Sequence, residues 1–384
     1  MSSLTDKLEK KIKDKKARIG IMGMGYVGIP LGLEFAGTGF SVTGFDKDSN
    51  RVKEINSGKQ VMKHIPAKSM KEFVKKNKGS ATNKFSEIGD MDCLIICVPT
   101  PLDKHEQPDM SYIESASKEI GKNLRKGQLI VLESTTYPGT TREIVKPILE
   151  KSKLKAGEDF FLAYSPERED PGNKEFSVSA IPKVMGGLTD DCLQLTSDLY
   201  KNIVSETVEV SSLETAEATK LMENIFRGVN IAMVNELKLV LSRMGVNIWE
   251  VIDAAKTKPF GFMAFYPGPG MGGHCIPIDP FYLAWKAKEY NTKAKFIELA
   301  GEINQKMTEH IAHRIGRALN DDKKSIRGSK ILIVGVAYKK DIDDVRESPA
   351  LRIMDLLKYK GGKINYHDPY VESMDSLKSL DLTK

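Results

Sequence analysis

Short apolar runs alternate with amphipathic stretches through the first half of the chain. ARIGIMG (17–23), FSVTGFD (40–46), DCLIICV (92–98), QLIVLEST (128–135) and DFFLAYSPE (159–167) each read as a buried strand. Between them lie helix-like segments, IPLGLEFAGTG after the first run, a lysine-rich stretch at 67–78, and one at 111–124. Repeated strand–helix alternation predicts an α/β fold with a doubly wound parallel sheet. From 211 to 244 the period becomes helical without a break, with Ala218, Leu221, Met222, Ile225, Val229, Ala232 and Val234 recurring at helical spacing. Such a helix is longer than one domain needs, so it is expected to bridge domains and to offer a dimer surface. Shorter helical stretches follow at 247–256, in PFYLAWKAKEY (280–290) and at 293–320. A polar linker, NDDKKSIRGS, precedes KILIVGVAY, SPALRIMDLLKYK and KINYHDP, which read as strand, helix and strand of a second Rossmann-like unit, expected to be incomplete.

Four segments follow from this pattern: a basic extension at 1–16, a nucleotide-binding domain at 17–205, a central helical domain at 206–320, and the start of a further α/β domain at 321–384. The first apolar run opens directly into GMGYVG, with Gly23, Gly25 and Gly28 ahead of a helix and Asp46 at the end of the second strand. Gly23 permits the tight turn, Gly25 lets the backbone approach a pyrophosphate, and Gly28 lets helix and strand pack closely. A carboxylate at Asp46 accepts hydrogen bonds from ribose hydroxyls and repels a 2′-phosphate, which favours NAD over NADP. Thr100, Thr135 and Glu167 stand at the carboxyl ends of later strands, where ligands of such sheets bind.

The stretch FYPGPGMGGHCIPIDP (265–280) is dense in glycine and proline, and it reads as a shaped loop carrying His274, Cys275 and Asp279. A thiol beside a base and a carboxylate suits a nucleophile; on spacing alone, a structural turn with an inert thiol is an equal alternative. Lys220 and Asn224, four apart, share one helix face. From the residues alone, a solvated Lys–Asn pair is the favoured reading of these two.

Composition adds limits. The chain has 384 residues, 40% hydrophobic and 29% charged, with a formal charge of +6, which fits a folded globular protein. The lysine-rich start, KLEKKIKDKK, reads as a solvated helix or frayed terminus, so no nucleic-acid partner is expected. No apolar run is long enough to span a bilayer, and no membrane partner is expected. Four scattered cysteines lack metal-type spacing; no metal site and a cytoplasmic location follow.

Together these motifs resemble the nucleotide-sugar 6-dehydrogenases, the UDP-glucose/GDP-mannose dehydrogenase family. GMGYVGIPLG, CVPTP, ESTTYPGTT, YSPERE, ETAEATKLMEN, GPGMGGHCIPIDP and GVAYKKDIDDVRESPA carry the resemblance in order. The glycine–cysteine loop is most similar to the UDP-N-acetylglucosamine branch. The resemblance implies a four-electron oxidation of a sugar C6 alcohol to a carboxylate with two NAD. It assigns Cys275 the thioester, and Lys220 and Asn224 the oxyanion, which reverses the residue-only reading of that pair. Asp279 assists proton removal, and Thr135 and Glu167 position the hydrolytic water. NAD falls to Gly23, Gly25, Tyr26, Val27, Gly28, Asp46, Arg51, Thr100 and Thr135. The UDP-sugar falls to Glu167, Arg168, Lys220, Asn224, Phe265, Gly268, Gly270, Gly273, Lys339 and Arg346, and a homodimer is implied. UDP-glucose and UDP-N-acetylmannosamine are the alternative substrates. A non-catalytic NAD- or nucleotide-sugar-binding regulator is the alternative of another class.

Overall fold

A computed structural model describes residues 3–62, 65–75, 79–103, 105, 107–168, 178–273 and 275–371, the side chains of Val178 and Cys275 excepted. The chain divides into two compact units, 1–221 and 222–384.

The first unit is built on one sheet of eight strands: β1 (Arg18–Met22), β2 (Ser41–Phe45), β3 (Ser80–Thr82), β4 (Cys93–Ile96), β5 (Leu129–Leu132), β6 (Phe161–Tyr164), β7 (Lys183–Gly187) and β8 (Thr207–Val210). Their order is β3-β2-β1-β4-β5-β6-β7-β8, so the first six follow the order of dinucleotide-binding sheets, with the switch point between β1 and β4. All pairings are parallel except β6 with β7, which is antiparallel. That reversal, and β7 and β8 themselves, are not foreseen by the sequence pattern. Strands β4, β5 and β6 are buried at every position, as apolar runs covered by helices on both faces should be. Residues 165–167, expected to extend the sixth strand, lie beyond its end at Tyr164.

Among the described residues seven helices lie wholly in this unit: α1 (Leu4–Lys13), α2 (Gly28–Gly37), α3 (Ser49–Asn56), α4 (Ala67–Lys75), α5 (Ser111–Asn123), α6 (Lys146–Leu149) and α7 (Asp190–Tyr200). The lysine-rich start is no frayed arm. Ser3 caps α1 in a reciprocal capping box with Asp6, and Leu8 and Ile12, four apart on one face, are buried in the main core. Lysines occupy the opposite face, which masks the apolar stripe in any averaged composition.

Helix α8 (Leu213–Arg243) is the long helix expected from the sequence. The second unit continues with α9 (Ile248–Ala255), α10 (Cys275–Glu289), α11 (Lys295–Asp321) and α12 (Pro349–Tyr359), and with β9 (Lys330–Val334) and β10 (Lys363–His367), a parallel pair. Cys275 is therefore the first residue of a helix, not the interior of a loop. Proline is harmless in a first helical turn because the N–H it lacks would be unpaired there, and Pro277 sits in that turn; Pro280 lies further inside.

Candidate active site

The glycine turn after β1 has the geometry its sequence requires. Gly23 has φ +97°, and a Cβ there would sit 2.7 Å from the Cys97 carbonyl oxygen at the end of β4. A Cβ at Gly28 would fall 1.9 Å from the Gly23 oxygen, so only glycine lets α2 start this close to the turn. At Gly25 nothing lies within 4 Å; this is open surface over which a pyrophosphate can approach a helix start. Tyr26 and Val27 complete the turn, and both pack on the core cluster. Asp46, just past β2, accepts from the Met24 and Asp48 amides at 3.0 and 2.9 Å, which fixes its carboxylate beside the turn. Five residues on, Arg51 holds a buried Nη1 with no hydrogen-bond partner among the described residues, an orphaned donor that a ligand oxygen or ring nitrogen would satisfy. Thr100 is 4% exposed beyond β4. Three of these features fit a dinucleotide: a glycine cradle, an oriented carboxylate and an orphaned cationic donor.

Thr135 and Glu167 follow the neighbouring strands β5 and β6, so the sheet brings their strand ends together. Ser134 Oγ donates to the Val98 carbonyl at 2.8 Å, tying the segment after β5 to that after β4. Arg168 Nη1 donates to the Pro182 carbonyl at 2.6 Å. Behind them are charged groups that sequence reasoning missed. Glu133 is fully buried and paired with Lys183 at 3.1 Å. Burial pushes its carboxyl up to about 7, against the opposing pull of the Lys183 ammonium.

Glu217 was missed too. It sits in the first turns of α8, wholly buried, and accepts from the Gly139 and Thr141 amides at 2.6 and 2.8 Å and from the Thr141 hydroxyl at 2.7 Å. It thereby caps the π-helical turn Thr141–Val145, binding α8 to the loop that leaves β5. Burial raises its carboxyl to about 7 while those donors draw it down. One turn later Lys220 is only 7% exposed, so the solvated-face reading of this lysine is wrong.

In the second unit the solvated reading also fails for Asn224, which is 4% exposed and whose Nδ2 donates to Asp279 Oδ2 at 2.7 Å. Asp279 is 1% exposed, on the first turns of α10. That helix begins at Cys275, so the thiol-bearing residue and the carboxylate are four apart on one helix, with an amide donor from α8 on the carboxylate. His274 and the Cys275 side chain lie outside the described residues.

The glycine loop is held by two buried carboxamides. Asn235 Oδ1 accepts from the Gly268 amide at 2.9 Å, Asn235 Nδ2 donates to Asn304 Oδ1 at 2.8 Å, and Asn304 Nδ2 meets Met271 Sδ at 2.6 Å. Phe265 packs edge-on against Phe226. Gly270 and Gly273 have φ of +135° and +83°, and a Cβ at Gly273 would strike the Tyr338 ring at 2.8 Å. The Gly273 amide donates to the Arg346 carbonyl at 3.0 Å. The Arg346 guanidinium itself forks onto Asp344, and Lys339 is half-buried near the same turn. The signal for Asn235 and Asn304 was available only as polar residues on apolar helix faces.

A dinucleotide-type sheet in the first unit, and in the second a buried Asn–Asp pair whose Asp lies on the helix that a cysteine begins, point to an oxidoreductase of the NAD-dependent dehydrogenase class. Family models match this chain in three consecutive segments: the NAD binding domain of the UDP-glucose/GDP-mannose dehydrogenase family over residues 17–204, its central domain over 214–306, and its UDP binding domain over 332–383. The chain belongs to the UDP-glucose/GDP-mannose dehydrogenase family, and it is an NAD-dependent UDP-sugar dehydrogenase. It is 37% identical to a UDP-N-acetyl-D-glucosamine 6-dehydrogenase of Pseudomonas aeruginosa, over 96% of this chain and 86% of that protein. It is 35% identical to a UDP-N-acetyl-D-mannosamine dehydrogenase of Pyrococcus horikoshii, over 94% of this chain and 86% of that protein. The solved structure of the UDP-D-ManNAc dehydrogenase from Pyrococcus horikoshii superposes with a TM-score of 0.87 at 35% identity, covering 92% of this chain and 84% of that one. Among the described residues no helix is long and apolar enough to cross a membrane, and no group of three or more His, Cys, Asp or Glu could hold a metal.

Proposed function

We propose that the chain oxidises the C6 alcohol of UDP-N-acetylglucosamine to the carboxylate, with a thioester on Cys275. The observation that carries this reading is the Asn224–Asp279 pair, a buried carboxylate given an amide donor on the same helix that Cys275 begins. A buried carboxylate is costly unless it is hydrogen-bonded, so a site that keeps one four residues from a cysteine is built for proton handling. NAD, when bound, accepts a hydride at each of the two oxidations. Asp279 draws the alcohol proton, through a water, as the hydride leaves. Lys220 and Asn224 donate to the developing oxyanion. Cys275 adds to the aldehyde, because the second oxidation needs a tetrahedral adduct that bears a transferable hydrogen. Thr135 and Glu167 position the water that hydrolyses the resulting thioester: its oxygen bonds to the carbonyl carbon, the C–S bond breaks, the electron pair leaves with sulfur, and the water proton passes to a carboxylate, with Asp279 assisting.

The same reading places NAD on Gly23, Gly25, Tyr26, Val27, Gly28, Asp46, Arg51, Thr100 and Thr135. It places the nucleotide sugar on Glu167, Arg168, Phe265, Gly268, Gly270, Gly273, Lys339 and Arg346, within domains bounded at 16, 205 and 320. UDP-N-acetylmannosamine is the second substrate reading, favoured by the names of the Pyrococcus relatives. The proposed setting is the cytoplasm, with the product entering cell-surface polysaccharide assembly.

NADH release per sugar consumed, measured with UDP-N-acetylglucosamine, UDP-N-acetylmannosamine and UDP-glucose, tests the reaction and the substrate together. A yield of two from the first sugar and little from the others supports the assignment. A yield of one would remove the thioester. Cys275→Ser with unaltered net acid formation would do the same.

The quaternary proposal is a homodimer through α8. Met222, Phe226, Met233, Leu237 and Val240 are each between 41% and 67% exposed on that helix, and Met244, just past its end, is 70% exposed; an exposed apolar stripe of this kind suits association. Light scattering of Leu237→Glu should show a monomer where the parent chain is a dimer; an unchanged mass removes α8 from the interface.

A further inference from the structure

Three buried groups beside the carboxyl ends of β5 and β6 take no part in the chemistry above. Lys183 begins β7, Glu133 follows β5, and Tyr200 ends α7; they are 5%, 0% and 0% exposed. The Lys183 ammonium stands 3.1 Å from Glu133 Oε2 and 3.5 Å from Glu167 Oε2. The Tyr200 hydroxyl donates to Glu133 Oε1, and its ring centroid lies 5.2 Å from the same ammonium.

The ammonium bridges two carboxylates; Glu133, fully buried and held by the Tyr200 hydroxyl, anchors it, and the contact with Glu167 gives that carboxylate a fixed cation. The flanks of Glu167 are tied to the same stretch of chain. Ser165 Oγ donates to the Val184 carbonyl at 2.8 Å, and Arg168 Nη1 to the Pro182 carbonyl at 2.6 Å. Residues 182, 183 and 184 thus each hold one residue of the segment 165–168. The carboxylate does not lie on a strand, because β6 ends at Tyr164, and this stitching holds its segment to residues 182–184. Glu133 and Tyr200, from two further elements, hold the ammonium in place.

We propose that Lys183 is a positioning residue for Glu167, with Glu133 and Tyr200 as its fixed base. The proposal rests on the reading that Glu167 positions the hydrolytic water. Lys183 takes no proton and touches no substrate; it restricts where the Glu167 carboxylate can stand, and geometry of this kind decides how much a water-orienting group contributes.

The test uses the full chain, stopped-flow NADH detection and intact-protein mass spectrometry after an acid quench. Lys183→Met should release its first two NADH per site at the parent rate, then turn over about 100-fold more slowly, with the sugar-acid thioester trapped as a mass increment on the enzyme. Glu167→Gln is the reference. If Glu167→Gln shows the adduct and Lys183→Met does not, Lys183 has no such role, while the reading of Glu167 stands. If neither shows it, the assignment of Glu167 fails and this inference fails with it. If Lys183→Met slows the initial NADH burst, its effect is not on hydrolysis, and the proposal is overturned. Should Lys183→Met fail to fold, the double variant Glu133→Gln/Lys183→Met removes the pair together and leaves no orphaned Glu133 charge; it should trap the same adduct, and its absence counts against Lys183.

Discussion

Two single-methyl substitutions in the glycine turn separate what the fold needs from what the cofactor needs. Gly28→Ala places a Cβ 1.9 Å from the Gly23 carbonyl oxygen and 3.1 Å from Ile21 Cγ2, where real Cβ contacts do not fall below 3.0 Å. The start of α2 must therefore withdraw from the turn by about 1 Å, since the obstacle is backbone and cannot rotate away. Overpacking of this kind costs about 1–3 kcal/mol, and in a domain of this size each kcal/mol lowers Tm by about 2–4 °C. The same withdrawal moves the helix N-terminus away from the pyrophosphate, so NAD affinity should fall by about tenfold or more, at least 1.4 kcal/mol. Gly25→Ala is the contrast. Nothing lies within 4 Å of its Cβ and its φ is not in the left-handed region, so Tm without NAD should be unchanged while NAD affinity still drops, the methyl occupying the approach of the phosphates. Differential scanning fluorimetry and calorimetric NAD titration read both quantities. If Gly25→Ala binds NAD as the parent does, the backbone at this turn does not meet the pyrophosphate. If Gly28→Ala melts unchanged, the steric argument is wrong.

Ile12→Ala tests the docked N-terminal helix: at 1% exposure its loss should cost about 2–4 kcal/mol by urea denaturation, whereas a frayed arm would show no change. Asp92 predicts an acid limit. Burial works against its carboxylate, but hydrogen bonds from Lys11, the Arg18 amide and Arg125 prevail and hold its pKa below the usual value. A depressed carboxyl stabilises the fold above its unfolded pKa, and that stability is lost as pH falls through the folded one. Asp92→Asn should thus flatten the stability–pH curve below about pH 4. Its cost at neutral pH should be about 1–2 kcal/mol, moderated by the solvent around Lys11 and Arg125; an unchanged acid limb would show that another carboxyl sets it.

What was legible in the sequence was what neighbouring residues encode. The β1–turn–α2–β2 unit and its acid could be read because glycine spacing, apolar runs and Asp46 all fall within thirty residues. Helix α8 was legible from its period, and the family motifs pointed to Lys220 and Asn224 although local reasoning preferred a solvated face. The Glu133–Lys183–Tyr200 cluster was not legible, because its members lie on three elements brought together only by the sheet order β5-β6-β7 and the packing of α7. The Asn235–Asn304 pair that holds Gly268 was hidden for the same reason. The start of α10 at Cys275 was obscured by Pro277 and Pro280, which look like breakers until the position of the first turn is known.

The burial of Cys93, Cys97 and Cys192 has a practical consequence. All three are closed to solvent, and burial drives the thiols of Cys93 and Cys97 far above the ordinary range, with nearby carboxylates adding to the push. Alkylating reagents attack thiolates that they can reach, so these three sulfurs are silent in the native protein. If Cys275 is the working thiol, the uptake of label per chain counts competent sites directly, and a preparation can be calibrated by its own chemistry before any substrate is added.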